Sequence, residues 1–142
     1  VTGTDIVKEQ IRIAGGQRLS LKQKDVTFTG HSIECRVNAE DPRTFVPCPG
    51  KITELVIPGG LGVRIETALY CGYTVLPYYD NLLAKVVVHA QTRGEAIARM
   101  FRTLEEFHIG GIKTNIPLHL KILKDHDFIA GNIDIDFLSR FT

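Results

Sequence analysis

Cysteine is too scarce and too irregularly spaced to organise this chain. Cys35, Cys48 and Cys71 make an odd count, and no pair has C-x-x-C spacing. Neither a disulfide framework nor a zinc knuckle follows, and reduced, cytosol-like surroundings fit best. No apolar run reaches the roughly 18 residues of a spanning helix, and no leader is seen, so the chain reads as soluble and cytoplasmic (or organellar). No charge of one sign dominates. Seventeen Lys and Arg face sixteen Asp and Glu, net +1, and the basic residues are scattered. That balance gives no reason to expect nucleic acid or a membrane surface as partner. No G-x-S-x-G, H-E-x-x-H, Walker A or dinucleotide fingerprint occurs. The five histidines never fall at i, i+3 or i+4, so no metal site is expected.

What remains is a chain of 142 residues with ordinary globular composition, read as one domain over 1–142. It opens straight on a helix signal, as a piece of a longer protein would. Thr2 or Thr4 can cap that first helix, with Ile6, Val7, Gln10, Ile11 and Ala14 as its stripe and Gly15-Gly16 as its stop. "HSIECRVNAE" (31–40) alternates with period two. Ile33, Cys35, Val37 and Ala39 point one way, Ser32, Glu34, Arg36, Asn38 and Glu40 the other, as in an antiparallel strand with one packed face.

Further on, "KITELVI" (51–57) and "VRIET" (63–67) read as a hairpin around "PGGLG". "LLAKVVVHA" (82–90) is the most apolar stretch and reads as a central strand. Thr92 and Glu95 form a T-x-x-E capping box, opening a helix to about Phe107 that buries Ala96, Met100, Leu104 and Phe107. Thr114 or Asn115 caps a last helix with Pro117 in its first turn. Phe128, Ile133, Ile135 and Phe137 are candidates to dock the tail. A helix, a run of strands and two helices predict an α+β fold with an antiparallel β-sheet.

Arg36 carries most of the chemical interest. A guanidinium is permanently charged and its planar fork suits carboxylates and developing oxyanions. A mid-strand position would hold it rigidly, with Glu34 and Asn38 able to orient it. On pattern alone, a structural Glu34–Arg36 ion pair is the favoured reading. Asp80 could close a turn or form an ion pair that orders a neighbouring site. His31 and His89, inside strand patterns, read as core or interface residues. "GGLG" reads as a turn rather than a phosphate cradle.

Several stretches in one order resemble the C-terminal part of biotin carboxylase, the ATP-grasp component of biotin-dependent carboxylases. They are "VTGTDIVKEQIRIAGGQ", "GHSIECRVNAEDP", "PCPGKI", "GGLGVRIE", "GYTVLPYYDNLLAKV", "RGEAIARM" and "GIKTNIPLH". The resemblance spans essentially the whole chain and is nearest the bacterial acetyl-CoA carboxylase subunit of fatty acid biosynthesis. It implies the rudiment single hybrid type of fold. It also implies a two-step reaction, in which MgATP and bicarbonate give carboxyphosphate and the carboxyl group passes to biotin on a carrier protein.

In that resemblance Arg36 binds bicarbonate and stabilises the biotin enolate. Leu61 and Arg64 fall at a homodimer interface, Leu61 standing where phenylalanine is common. Asp80 helps organise the interface near the active site. Ile135 lines the adenine pocket, beside Asp136 where a bacterial relative has histidine. The ATP-binding lysines and histidine, the Mg²⁺-binding glutamates and the catalytic base would all precede Val1. The implied partners are the N-terminal remainder, the biotin carboxyl carrier protein and a carboxyltransferase, with the chain inactive alone. A non-catalytic dimerisation or docking module is the competing reading, and a purely structural domain ranks behind it.

Overall fold

The computed structural model describes residues 1–141. Helix α1 (Ile6–Ala14) is capped by Asp5, whose carboxylate accepts the Lys8 N–H, rather than by either threonine. Its apolar stripe is not buried: Ile6, Val7 and Ile11 are all more than 60% exposed. The buried residue of α1 is Glu9, whose carboxylate pKa is kept low first by Ser20, with its N–H at 3.2 Å, and then by Arg12 at 2.8 Å.

Strand β1 (His31–Asn38) pairs antiparallel with β6 (Leu82–Ala90), and β6 pairs antiparallel with β4 (Val63–Thr67). The apolar run of β6 is therefore central, as its composition demands. Two further antiparallel pairs stand apart: β2 (Gly50–Lys51) with β5 (Thr74–Val75), and β3 (Glu54–Val56) with β7 (His108–Gly110).

The expected hairpin does not form. β3 and β4 join different sheets, and the loop between them is held from outside: His89 N–H donates to Gly62 O at 2.9 Å and Arg102 reaches Gly59 O. Glycine also lets the backbones of the β3–β7 pair close up. A Cβ at Gly110 would come within 2.9 Å of Glu54 Cβ, and one at Gly111 within 2.3 Å of the Lys51 carbonyl.

Helix α2 (Arg93–Glu106) starts on both halves of its capping box. Thr92 Oγ1 accepts the Glu95 N–H and Glu95 Oε2 accepts the Thr92 N–H. Ala96, Met100 and Leu104 are buried, as is Phe107 just past the helix end, in one core with Val37, Val86 and Val88 of the sheet. Helix α3 (Ile116–Lys124) begins at Asn115 with Pro117 in its first turn and buries Ile116, Leu118 and Leu123. A short α4 (His126–Ala130) follows, because Asp125 ends α3 and turns its carboxylate to the Asp127 and Phe128 N–H groups. In the tail Phe137 is buried, whereas Ile133 and Ile135 are exposed.

Cys35 is buried, Cys48 partly so and Cys71 exposed, all three as free thiols. His31 is not a core residue, since its side chain is exposed. His89 is exposed too, with Nε2 3.0 Å from the Thr29 carbonyl.

Candidate functional site

The open face of the three-stranded sheet gathers the polar side chains. Alternation along β1 sends Cys35 and Val37 into the core and leaves Ser32, Glu34 and Arg36 outside. The register then sets out rows: Arg36 opposite Lys85 opposite Glu66, and Glu34 opposite Val87 opposite Arg64. A cavity of about 460 Å³ lies over this face, lined among others by Glu34, Arg64, Glu66, Lys85, Leu69 and Tyr73.

Arg36 pairs with Asp80, not with Glu34: its Nη2 lies 3.6 Å from Asp80 Oδ2. Residues two apart on a strand point the same way but stand side by side, whereas Asp80 arrives from the loop before β6. Asp80 fills both roles open to it. Its Oδ1 accepts the Leu82 N–H at 3.0 Å, closing a turn, while Oδ2 faces the guanidinium. Both side chains are more than half exposed, so the pair adds little stability. Its value is direction: the fork is drawn toward one edge and keeps free N–H groups for an anion.

Beneath Arg36 the backbone is tied down by polar groups. Asn115 Nδ2 donates to Arg36 O at 3.0 Å and His119 Nε2 lies 2.9 Å from the same carbonyl. Asn115 Oδ1 accepts the Asn38 N–H at 2.9 Å. The Glu40 carboxylate collects Asn115 Nδ2 at 3.1 Å, Asn81 Nδ2 at 3.2 Å and Asn38 Nδ2 at 3.4 Å. Asn38 therefore serves this network rather than steering the guanidinium. Burial lowers the His119 pKa, opposed more weakly by the Arg36 carbonyl and the Glu40 charge.

Beside this network, Asp41 binds Lys113 at 2.7 Å and accepts the Arg43 and Thr44 N–H groups, which hold its carboxyl well below the usual range. Asn115 and His119 carry no local signal of any such role, since they lie 79 and 83 residues from Arg36.

The remaining candidates are more scattered. Arg64 is on edge strand β4, 3.0 Å from Glu66, on the same open face as Arg36. Leu61 is 89% exposed in the loop before β4. Ile135 is 99% exposed in a turn after α4 and is not part of the sheet face. Among the described residues no three His, Cys, Asp or Glu side chains cluster as metal ligands. The donor set on the sheet, with Arg36 foremost, suits an anion and not Mg²⁺.

The profile of the biotin carboxylase C-terminal domain matches residues 34–140. The chain belongs to that family. It is 54% identical over 142 residues to Biotin carboxylase 1 of Bacillus subtilis, covering 99% of this chain and 32% of that protein. It is 50% identical over 141 residues to the 2-oxoglutarate carboxylase small subunit of Hydrogenobacter thermophilus, covering 99% and 30%.

Among solved structures, the biotin carboxylase domain of a thermophilic 2-oxoglutarate carboxylase bound to bicarbonate superposes with a TM-score of 0.92 at 49% identity. That match covers 99% of this chain and 32% of the other. The same domain from Hydrogenobacter thermophilus, solved as a dimer with MgADP, ADP and bicarbonate, also gives 0.92 at 49% identity, covering 99% and 31%. The biotin carboxylase C-terminal domain seen here thus spans about a third of the length of its relatives, and it carries their α+β architecture.

Proposed function

We propose that this chain, over 1–142, is the C-terminal domain of a biotin carboxylase and supplies the arginine that handles the carboxyl donor. The observation that carries the reading is Arg36, fixed mid-strand on an open face with Asp80 drawing its fork to one edge. The similarity to a domain solved with bicarbonate supports an anion as its ligand.

In the complete enzyme MgATP phosphorylates bicarbonate, and the biotin N1′ nitrogen, giving up its proton to the departing phosphate, then forms its bond to the carboxyl carbon as the carbon–phosphate oxygen bond breaks. Arg36 binds the bicarbonate anion and later faces the oxygen on which the ureido group gathers charge. A fixed cation at a developing oxyanion favours the transition state over the ground state. Among the described residues no acidic cluster offers Mg²⁺ ligands, so metal and nucleotide fall to the N-terminal remainder, with Ile135 closing the adenine pocket against it. The exposed Leu61 and the sheet-edge Arg64 serve a homodimer contact, with Asp80 between that contact and the active site.

Biotin arrives on the biotin carboxyl carrier protein, and a separate carboxyltransferase then passes its carboxyl group to the final acceptor. Acetyl-CoA, propionyl-CoA, methylcrotonyl-CoA and pyruvate are the final acceptors open to it, with "GVR" and "PYYD" nearest the acetyl-CoA type, and the enzyme works in the cytoplasm or, in a eukaryote, an organellar matrix. Among the described residues no helix is long and apolar enough to cross a membrane.

The test is Arg36→Met in the complete enzyme. Bicarbonate- and biotin-dependent ATP hydrolysis should fall about 10²–10³-fold, the loss typical of one removed oxyanion donor. The melting temperature should stay put, since the Arg36–Asp80 pair is exposed. Full turnover by the variant, or turnover by the isolated chain, would overturn the reading.

A further inference from the structure

The guanidinium of Arg36 is exposed and tethered only at 3.6 Å, so its aim depends on the backbone that carries it. That backbone is vulnerable. β1 is an edge strand, and its register with β6 slips between Val37 and Asn38, skipping Leu83.

A buried side chain repairs the edge. The Asn115 amide donates to Arg36 O and accepts from Asn38 N–H, as the peptide of a neighbouring strand would. The Asn115 backbone N–H adds a bond to Asn38 O at 3.2 Å. Asparagine at this helix position ordinarily caps the helix with its side chain, yet here no such bond forms. Its remaining N–H goes to Glu40, so the buried amide has every donor engaged. One turn along α3, His119 places a second donor on the same Arg36 carbonyl. Two donors from one helix meeting one edge-strand carbonyl exceed what helix formation requires.

We propose that Asn115 and His119 are positioning residues for Arg36, locking its carbonyl to α3 so that the guanidinium keeps one direction over the open face. This deepens the proposed function and rests on it. A misplacement of about 1 Å at a reacting group can cost on the order of 10²-fold in rate, so partial loss of this clamp should read as about tenfold.

The experiment uses the complete enzyme with His119→Phe, which removes the donor, and His119→Gln, which keeps one. His119→Phe should lower kcat for biotin carboxylation about tenfold with the KM for ATP unchanged, and His119→Gln should recover most of it. Combined with Arg36→Met, His119→Phe should cause no further loss, because both act through one guanidinium. Where the phenylalanine variant does not fold, His119→Asn, whose shorter amide falls short of the carbonyl, carries the same comparison.

Equal losses in the donor-keeping and donor-lacking variants, or additive losses with Arg36→Met, would overturn the proposal. Arg36→Met collapsing while His119→Phe turns over normally would sink this inference alone. Normal turnover by Arg36→Met would sink the functional reading beneath it.

Discussion

Helices α1 and α2 carry apolar side chains at similar helical spacing, and the fold treats them in opposite ways. On α2, Ala96, Met100 and Leu104 close onto the sheet and are almost wholly buried. On α1, Ile6, Val7 and Ile11 face outward, and the side turned inward is carried by Glu9 with its bonds to Arg12 and Ser20. Periodicity announces that a helix has two faces. Which face meets the rest of the molecule depends on partners far along the chain.

The contrast can be broken at its strongest point first. Met100→Ala empties a fully buried site and should destabilise the chain by about 2–5 kcal/mol, read by denaturant unfolding. A loss under about 1 kcal/mol would mean that α2 is not the packed helix described. Next come the caps. Thr92→Ala removes half of a capping box on a helix that is part of the core, and about 1 kcal/mol should be lost globally. Asp5→Ala removes the corresponding bond on α1, where the helix can fray alone; amide exchange in α1 should quicken while the global midpoint hardly moves.

Acid sharpens the picture further. His119 has a lowered pKa in the fold, so the unfolded chain takes up its proton first as pH falls below about 6.5. Stability should drop from there down to the folded value, and His119→Gln should flatten that limb. Asp41, also lowered, contributes stability above about pH 3.9 that is lost on further acidification, and Lys113→Met should blunt this second limb. Thermal melts from pH 7 down to about pH 2 separate the two. The smallest effect is expected at Ile11→Ala, within about 0.5 kcal/mol, because its side chain touches little.

Local chemistry was legible in the sequence wherever both partners lie within a few residues. The Thr92–Glu95 box, the stop at Gly15-Gly16 and the alternation that puts Arg36 outside all stand in the fold. Partner choice was not. "KITELVI" and "VRIET" look like a hairpin because they are adjacent and strand-like, yet each finds a better edge elsewhere. The Arg36–Asp80 pair spans 44 positions, and the clamp from Asn115 and His119 spans about twice that. An asparagine before a helix reads as a cap whether it caps or not. Guanidinium chemistry drew attention to Arg36, but only the family resemblance gave it a role, because chemistry belongs to a site and not to a strand pattern.

The three thiols offer a practical handle. Burial pushes Cys35 up to about 12, with the Glu34 charge adding to it, so that sulfur stays protonated and silent toward alkylating dyes. Cys71 stands in solvent between Leu69 and Tyr73, two residues that line the cavity over the sheet. With Cys48→Ser, a fluorophore coupled to the native protein would land on Cys71 alone. Its emission would then report, in real time, whatever settles on the open face.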